Sequence, residues 1–277
     1  MRGDIMKQLT RNLVSEWLPK RDHNTYKNKM GHVLCIGGNE NMGGAITLSA
    51  GAALYSGAGL VTVATDPNNL YALHGRYPEA MFVNMFDSKA LNSHIQKADV
   101  IIIGPGLGRF EDSLSVFRNT IESVNENQWL IIDGDGLTLL MNEEISLPTA
   151  QVVLTPHLGE WKTLTGIEPP ADNSDDNFDE IKRLQASLVL KKERTEIYID
   201  DEIWENTAGN PSMATGGMGD TLTGIIGSFL GQFENKKEAL LSAVYVHSAV
   251  ADELAKTHYV TLPTQIIQHI PIFMKNL

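Results

Sequence analysis

Asn210–Gln232 reads NPSMATGGMGDTLTGIIGSFLGQ, and the rest of the chain is organised around it. Gly216, Gly217 and Gly219 crowd together and Asp220 follows at once. From there Leu222, Ile225, Ile226, Phe229, Leu230 and Phe233 recur at i, i+3, i+4, i+7, i+8 and i+11, which is one face of an α-helix. A glycine turn therefore opens into a helix whose first N–H groups lack internal partners and whose dipole favours negative charge. Glycines let such a backbone come close to a phosphate. Gly216, Gly217 and Gly219 are accordingly candidates for an anion hole. A carboxylate is unwelcome beside a phosphate unless it serves as a base. Asp220 is thus the candidate catalytic residue, taking the proton from a hydroxyl that attacks a phosphoryl group. The competing reading makes Asp220 only the helix N-cap.

Upstream, other glycine loops follow apolar runs. Val33–Ile36 (VLCI) is a predicted strand that runs into Gly37–Gly44, and Ala45–Ser56 is a predicted helix of small residues. Leu60–Thr65 is the next strand, which completes a βαβ unit. The spacing in GGNENMGGA is not that of a GxGxxG fingerprint, so a Rossmann dehydrogenase is disfavoured. The loop is either a nucleotide contact or a tight strand-to-helix turn. A strand is expected within Tyr77–Met85, and Asp99–Ile103 is a continuous apolar strand, as a doubly covered parallel sheet requires. It ends in Gly104-Pro105-Gly106-Leu107-Gly108. Trp129–Asp133 and Val152–Thr155 are further strands. Asp133 and Asp135 after the first of them either serve a metal or ribose or cap the next helix. His157 and Glu160 after the second stand at a strand's carboxyl end, where ligands of open α/β sheets bind. Glu160 is a candidate to hold Mg2+ through water.

Elsewhere the spacing predicts helices over Gln8–Leu18, Ser88–Lys97, Asp112–Asn125, Gly136–Met141, Ile181–Ala186, Lys236–Lys256 and Pro263–His269. Glu168–Glu180 is expected to be a solvated acidic loop. Strands are expected at Ser187–Lys191, Glu196–Asp200 and Ile203–Asn206. Repeated βα units imply one α/β domain with a mostly parallel sheet.

The 277 residues carry 22 Lys+Arg against 34 Asp+Glu, a net charge of −12. That balance argues against nucleic-acid or membrane partners. Cys35 is the single cysteine, so no intrachain disulfide forms and a reducing compartment fits. With no signal-like or membrane-length apolar run, the expected location is cytoplasmic. Walker A spacing and the protein-kinase signatures are absent.

Taken together the motifs resemble the ribokinase-like superfamily. They are most similar to one branch, the ADP/ATP-dependent NAD(P)H-hydrate dehydratases of the YjeF C-terminal-domain family. The matching stretches are GHVLCIGG, MGGAITLSAGAALYSGAGLVTVAT, IIIGPGLG, VVLTPHLGE and GNPSMATGGMGDTLTGIIGSFL, in order from Gly31 to Leu230. His157 in His157-Leu158-Gly159-Glu160 stands where superfamily kinases tend to carry the Asn of an NxxE motif. The resemblance implies one domain over residues 1–277, a ribokinase-like three-layer αβα sandwich with a central, mostly parallel sheet. It implies repair of the 6-hydrated form of NADH or NADPH (NAD(P)HX, S epimer), with ADP, or ATP, as co-substrate and Mg2+ as cofactor. Ala45, Gly106, His157 and Asp220 would contact the hydrated cofactor. Gly219 and the loop Lys191, Lys192, Glu193, Arg194 and Thr195 would hold the adenine nucleotide. A homotetramer and a separate NAD(P)HX epimerase as functional partner are also implied. This chain departs from the family at Lys192, where a glycine is common, and at Gly134 and Gly136, where alanines are more usual. If that family glycine supplies a left-handed backbone, a lysine there is strained. The rival readings are a kinase of the same superfamily acting on a vitamin-precursor alcohol, and a nucleotide-sensing protein without turnover.

Overall fold

Alternate residues of the central strands enter opposite cores. Val33, Cys35, Val100, Ile102 and Ile131 face one hydrophobic cluster, and Leu34, Ile36, Ile101, Ile103 and Leu130 face the other. Both faces of the sheet are therefore covered, which is why these strands are apolar throughout. The computed structural model describes residues 6–143, 145–168 and 174–277. Its strands are β1 (Lys7–Leu9), β2 (His32–Ile36), β3 (Leu60–Thr65), β4 (Met81–Asn84), β5 (Val100–Ile103), β6 (Trp129–Ile132), β7 (Gln151–Leu154), β8 (Ala186–Leu190), β9 (Glu196–Ile199) and β10 (Glu202–Asn206). They form one sheet in the order β1-β10-β9-β8-β7-β6-β5-β2-β3-β4. Every pairing is parallel except the two made by β9.

The helices are α1 (Arg11–Trp17), α2 (Gly43–Tyr55), α3 (Leu70–Arg76), α4 (Ser88–Ile95), α5 (Glu111–Ser123), α6 (Asp135–Asn142), α7 (Leu158–Thr165), α8 (Ser174–Leu184), α9 (Met218–Gln232), α10 (Lys236–Ala255) and α11 (Pro263–Lys275). Apolar residues of α2, α9, α10 and α11 fill one core and those of α4 to α8 fill the other. The result is the expected three-layer αβα sandwich. α9 is enclosed on all sides: Thr221 to Leu230 are all buried. Gly224 makes that possible against α2, since a Cβ there would lie 2.1 Å from the Ser49 carbonyl oxygen.

Three expectations need correction. The helix over Gln8–Leu18 is only α1, because Lys7–Leu9 joins the sheet edge beside Trp204–Asn206. Local periodicity carries no trace of a partner so distant in sequence. The acidic loop ends early, for α8 begins at Ser174. Asp175 and Asp176 suit its first turn, and Ile181 buries its apolar side. The Pro169-Pro170 part of that loop lies outside the described residues. The last helix continues past His269 to Lys275, through Pro271. α3 and α7 had no counterpart in the sequence reading.

Candidate active site

β2 and β5 are neighbours, yet the chain leaves β2 towards β3 on one side and β5 towards β6 on the other. This is the switch point of the sheet, where open α/β folds bind ligands beyond the strands' carboxyl ends. The two glycine loops meet there. Gly38 N–H donates to the Pro105 carbonyl at 2.9 Å, and Asn39 N–H donates to that of Gly106 at 2.7 Å. The Asn39 side chain adds a 3.0 Å bond to the Gly106 carbonyl. A Cβ on Gly106, whose φ is +60°, would lie 3.1 Å from the Ala45 Cβ and 2.6 Å from the Met42 carbonyl oxygen. Ala45 and Gly106 are thus brought together as one floor.

The neighbouring strand ends add the chemistry. Asp133 follows β6, Thr155 follows β7 and Lys191 follows β8. Asp133 Oδ1 accepts from Thr155 Oγ1 at 2.8 Å and from Lys191 Nζ at 2.7 Å. Burial opposes the ammonium, but Asp133 opposite it, with Glu160 and Asp220, holds the Lys191 pKa above its ordinary value. Asp135 accepts from the Gly108 N–H at 2.9 Å and from Arg109 Nε at 2.8 Å. Neither aspartate caps α6. Of the two readings the cap is the one not seen, and the side chains are engaged instead in an ion pair for Asp133 and a loop tether for Asp135.

The anchor stretch lies over these groups. α9 begins at Met218, so Asp220 is its third residue and not its N-cap. Gly217 is the cap position, at φ +92° and ψ −4°, a left-handed backbone that glycine takes without strain. No side chain caps the turn, which leaves its N–H groups available to an anion. Ser49 Oγ on α2 donates to the Asp220 carbonyl at 2.8 Å and fixes the turn beside the helix that carries Ala45. A Cβ on Gly219 would come 3.2 Å from Lys191 Nζ and 3.6 Å from Asp133 Oδ2. The Asp220 carboxylate makes no hydrogen bond among the described residues. Burial, then the negative charges of Asp133 and Asp135, push its pKa from 3.8 up to about 6, with Lys191 pulling the other way.

His157 caps α7. Its Nδ1 accepts the N–H groups of Gly159 and Glu160 at 3.0 and 3.1 Å, so the neutral ring carries its proton on Nε2. Glu160 Oε2 accepts the His157 N–H at 2.8 Å, which completes a capping box. His157 also bridges to Lys191 by its main chain, tying this turn to the 191–195 loop. In that loop only the Lys191 side chain turns to the glycine turn. Lys192 pairs with buried Glu196, Arg194 Nη1 donates to the Thr207 carbonyl at 2.6 Å, and Glu193 is exposed. The Thr195 carbonyl accepts from the Asn206 N–H. The strain expected at Lys192 is absent: Gln185, Asp200 and Asp201 are the non-glycine residues with positive φ among those described.

Three groups escaped the sequence reading. Thr155 and Ser49 carry no motif of their own. His247 stood within the apolar stripe of α10, and a histidine in such a stripe was the available signal. It is 5% exposed, and its Nε2 is buried with no hydrogen-bond partner among the described residues. Burial, then the nearby Lys191 charge, lowers its pKa to about 4 and keeps it neutral.

A model of the NAD(P)H-hydrate dehydratase family matches residues 33–272. The chain belongs to that family. It is 46% identical to an ADP-dependent (S)-NAD(P)H-hydrate dehydratase of Lactiplantibacillus plantarum, over 97% of each protein. A ribokinase-like superfamily protein of Enterococcus faecalis superposes with a TM-score of 0.95 at 42% identity, covering 100% of this chain and 97% of that one. The ADP/ATP-dependent NAD(P)H-hydrate dehydratase of Bacillus subtilis, crystallised with ATP and Mg2+, gives a TM-score of 0.86 at 28% identity, covering 98% and 99%. The dehydratase branch read from His157 and the glycine–aspartate turn is therefore correct, and the small-molecule kinase alternative is not favoured.

Among the described residues no three or more His, Cys, Asp or Glu side chains gather to hold a metal. Mg2+ commonly takes one or two carboxylates and draws its other ligands from water and substrate phosphates. Glu160 suits that role, since its capping bond uses Oε2. Among the described residues no helix is long and apolar enough to cross a membrane.

Proposed function

We infer that this family member is an ADP-dependent (S)-NAD(P)H-hydrate dehydratase, a carbon–oxygen lyase that returns NAD(P)HX to NAD(P)H while ADP becomes AMP and phosphate. The observation that carries the mechanism is Asp220, a carboxylate without hydrogen bonds among the described residues, in the uncapped first turn of α9, beside Gly219 and Lys191. A free carboxylate with a pKa near 6 is ionised at neutral pH and still basic enough to accept a proton. Asp220 takes the proton of the C6 hydroxyl as that oxygen bonds to the terminal phosphorus of ADP and AMP departs. Phosphate is a far better leaving group than hydroxide. The ring nitrogen's lone pair then expels it, and loss of the C5 proton restores the double bond.

Ala45, Gly106 and the His157 Nε2–H line the hydrated nicotinamide's side, and the N–H groups of Gly216, Gly217 and Gly219 receive the phosphate. Lys191, Lys192, Glu193, Arg194 and Thr195 hold the nucleotide, Lys191 by its side chain and the others through the loop's main chain. Glu160 would hold Mg2+ through water, and the ion would supply neutralisation of phosphate charge. The chain acts as one domain in the cytoplasm, assembled as a homotetramer. Exposed Tyr259, Val260 and Leu262, between α10 and α11, are apolar surface that an assembly would cover. A separate epimerase supplies the S epimer.

The test is incubation with (S)-NADHX, with and without ADP. Recovery of the reduced-nicotinamide absorbance only with ADP is expected. No recovery, together with phosphorylation of a vitamin alcohol, would replace this reading by the kinase one.

A further inference from the structure

We propose that Asp133 is a positioning residue, whose carboxylate, fixed by Thr155, holds the Lys191 ammonium against Gly219 in the first turn of α9. The proposal rests on the reading of Asp220 as base and of that turn as phosphate site.

Asp133, Thr155 and Lys191 stand at the carboxyl ends of β6, β7 and β8, three adjacent strands. Asp133 is 3% exposed, and a carboxylate so buried must be paired. Its Oδ1 takes both the Thr155 hydroxyl and the Lys191 ammonium. Lys191 Nζ has three donors, and among the described residues Asp133 is its one hydrogen-bond acceptor. Nζ itself lies 3.2 Å from where a Gly219 Cβ would stand. A side chain at 219 would press on the end of Lys191, so glycine leaves the ion pair its place against this turn.

The charges on Asp220 make the arrangement functional rather than only a stitch across the sheet. Asp133 acts on it from the end of β6, Asp135 from the start of α6, and Lys191 from the end of β8. α2 offers only the Ser49 hydroxyl, to the Asp220 carbonyl, and His247 of α10 stays neutral beneath. A phosphate entering this set adds negative charge to three carboxylates, of which Asp133 is paired with Lys191 and Asp135 with the more exposed Arg109. Lys191 is the cation that can meet it without leaving Asp133, because one acceptor does not exhaust three donors.

The test is the pH dependence of kcat/KM for ADP with D133N, K191M and T155V, each beside its melting temperature. D133N keeps the shape of the side chain and removes its charge, so the acid limb should move down by about one pH unit. K191M should move it up by about as much, and both should lose about tenfold or more in kcat. T155V keeps every charge and should lose stability while leaving the limb in place. Opposite shifts support the proposal. An unmoved limb in D133N and K191M, or shifts in the same direction, overturns it and leaves the pair a structural tie. If D133N does not fold, K191M against T155V decides by the same criterion. A wild-type protein that restores no reduced nicotinamide fails earlier, on the function itself, and the proposal falls with it.

Discussion

Asp220→Asn should stabilise the protein at neutral pH while disabling it. The carboxyl sits at about 6 in the folded chain against an ordinary 3.8, through burial first and the neighbouring aspartates second. Each pH unit of that difference is worth 1.36 kcal/mol, so keeping Asp220 ionised destabilises the fold by about 3 kcal/mol. The sign follows from linkage. A raised folded pKa means that the penalty is absent below 3.8, grows as pH rises, and is complete above about 6. Asparagine removes the charge, and among the described residues the carboxylate it replaces has no hydrogen bond to lose. D220N should therefore melt higher than wild type at pH 7.5, by roughly 2 °C per kcal/mol for a chain of this size, or about 6 °C. The gap should shrink steadily as pH is lowered towards 4. Differential scanning calorimetry of both proteins over that range is the assay. A variant that melts lower at pH 7.5, or a difference that does not change with pH, would refute the electrostatic account of the site.

In wild type, kcat/KM should fall on the acid side with an apparent pKa of about 6, and initial rates from pH 5 to 9 would show it. A limb near 4 would mean that Asp220 is not the titrating base. Gly219→Ala places a methyl 3.2 Å from Lys191 Nζ, the far end of a flexible side chain. The fold should survive and the KM for ADP should rise about tenfold or more, read by ADP titration. Lys192→Gly restores the common family residue but strips Glu196, itself 3% exposed, of its cation. Stability should drop by about 3 kcal/mol in urea unfolding, with the ADP KM changed less than about threefold.

The fold was legible where sequence order and spatial order agree. The apolar runs VLCI, LVTVAT, VIII and WLII announced doubly covered strands, and the glycines after them announced the ligand edge. β1 was not legible, because its partner β10 is nearly two hundred residues away and a three-residue edge strand has no period of its own. α8 was hidden by its acidic first turn, which composition alone assigns to solvent. At the site, the glycine–aspartate turn could be read because backbone shape demands residue type. The partner of Asp133 could not. Lys191 lies two strands away, and an ion pair across a sheet leaves no spacing in the chain. The placement of Asp220 as third residue of α9 follows from the left-handed Gly217, a torsion that GGMGD permits but does not dictate.

The most direct test of the central claim is the rate of NADH restoration by D220N, measured beside its affinity for ADP. The account predicts a loss of about a hundredfold to ten-thousandfold in kcat with ADP still bound, the usual cost of removing a general base. A variant that restores NADH at the wild-type rate would contradict it, because some other group would then be taking the proton.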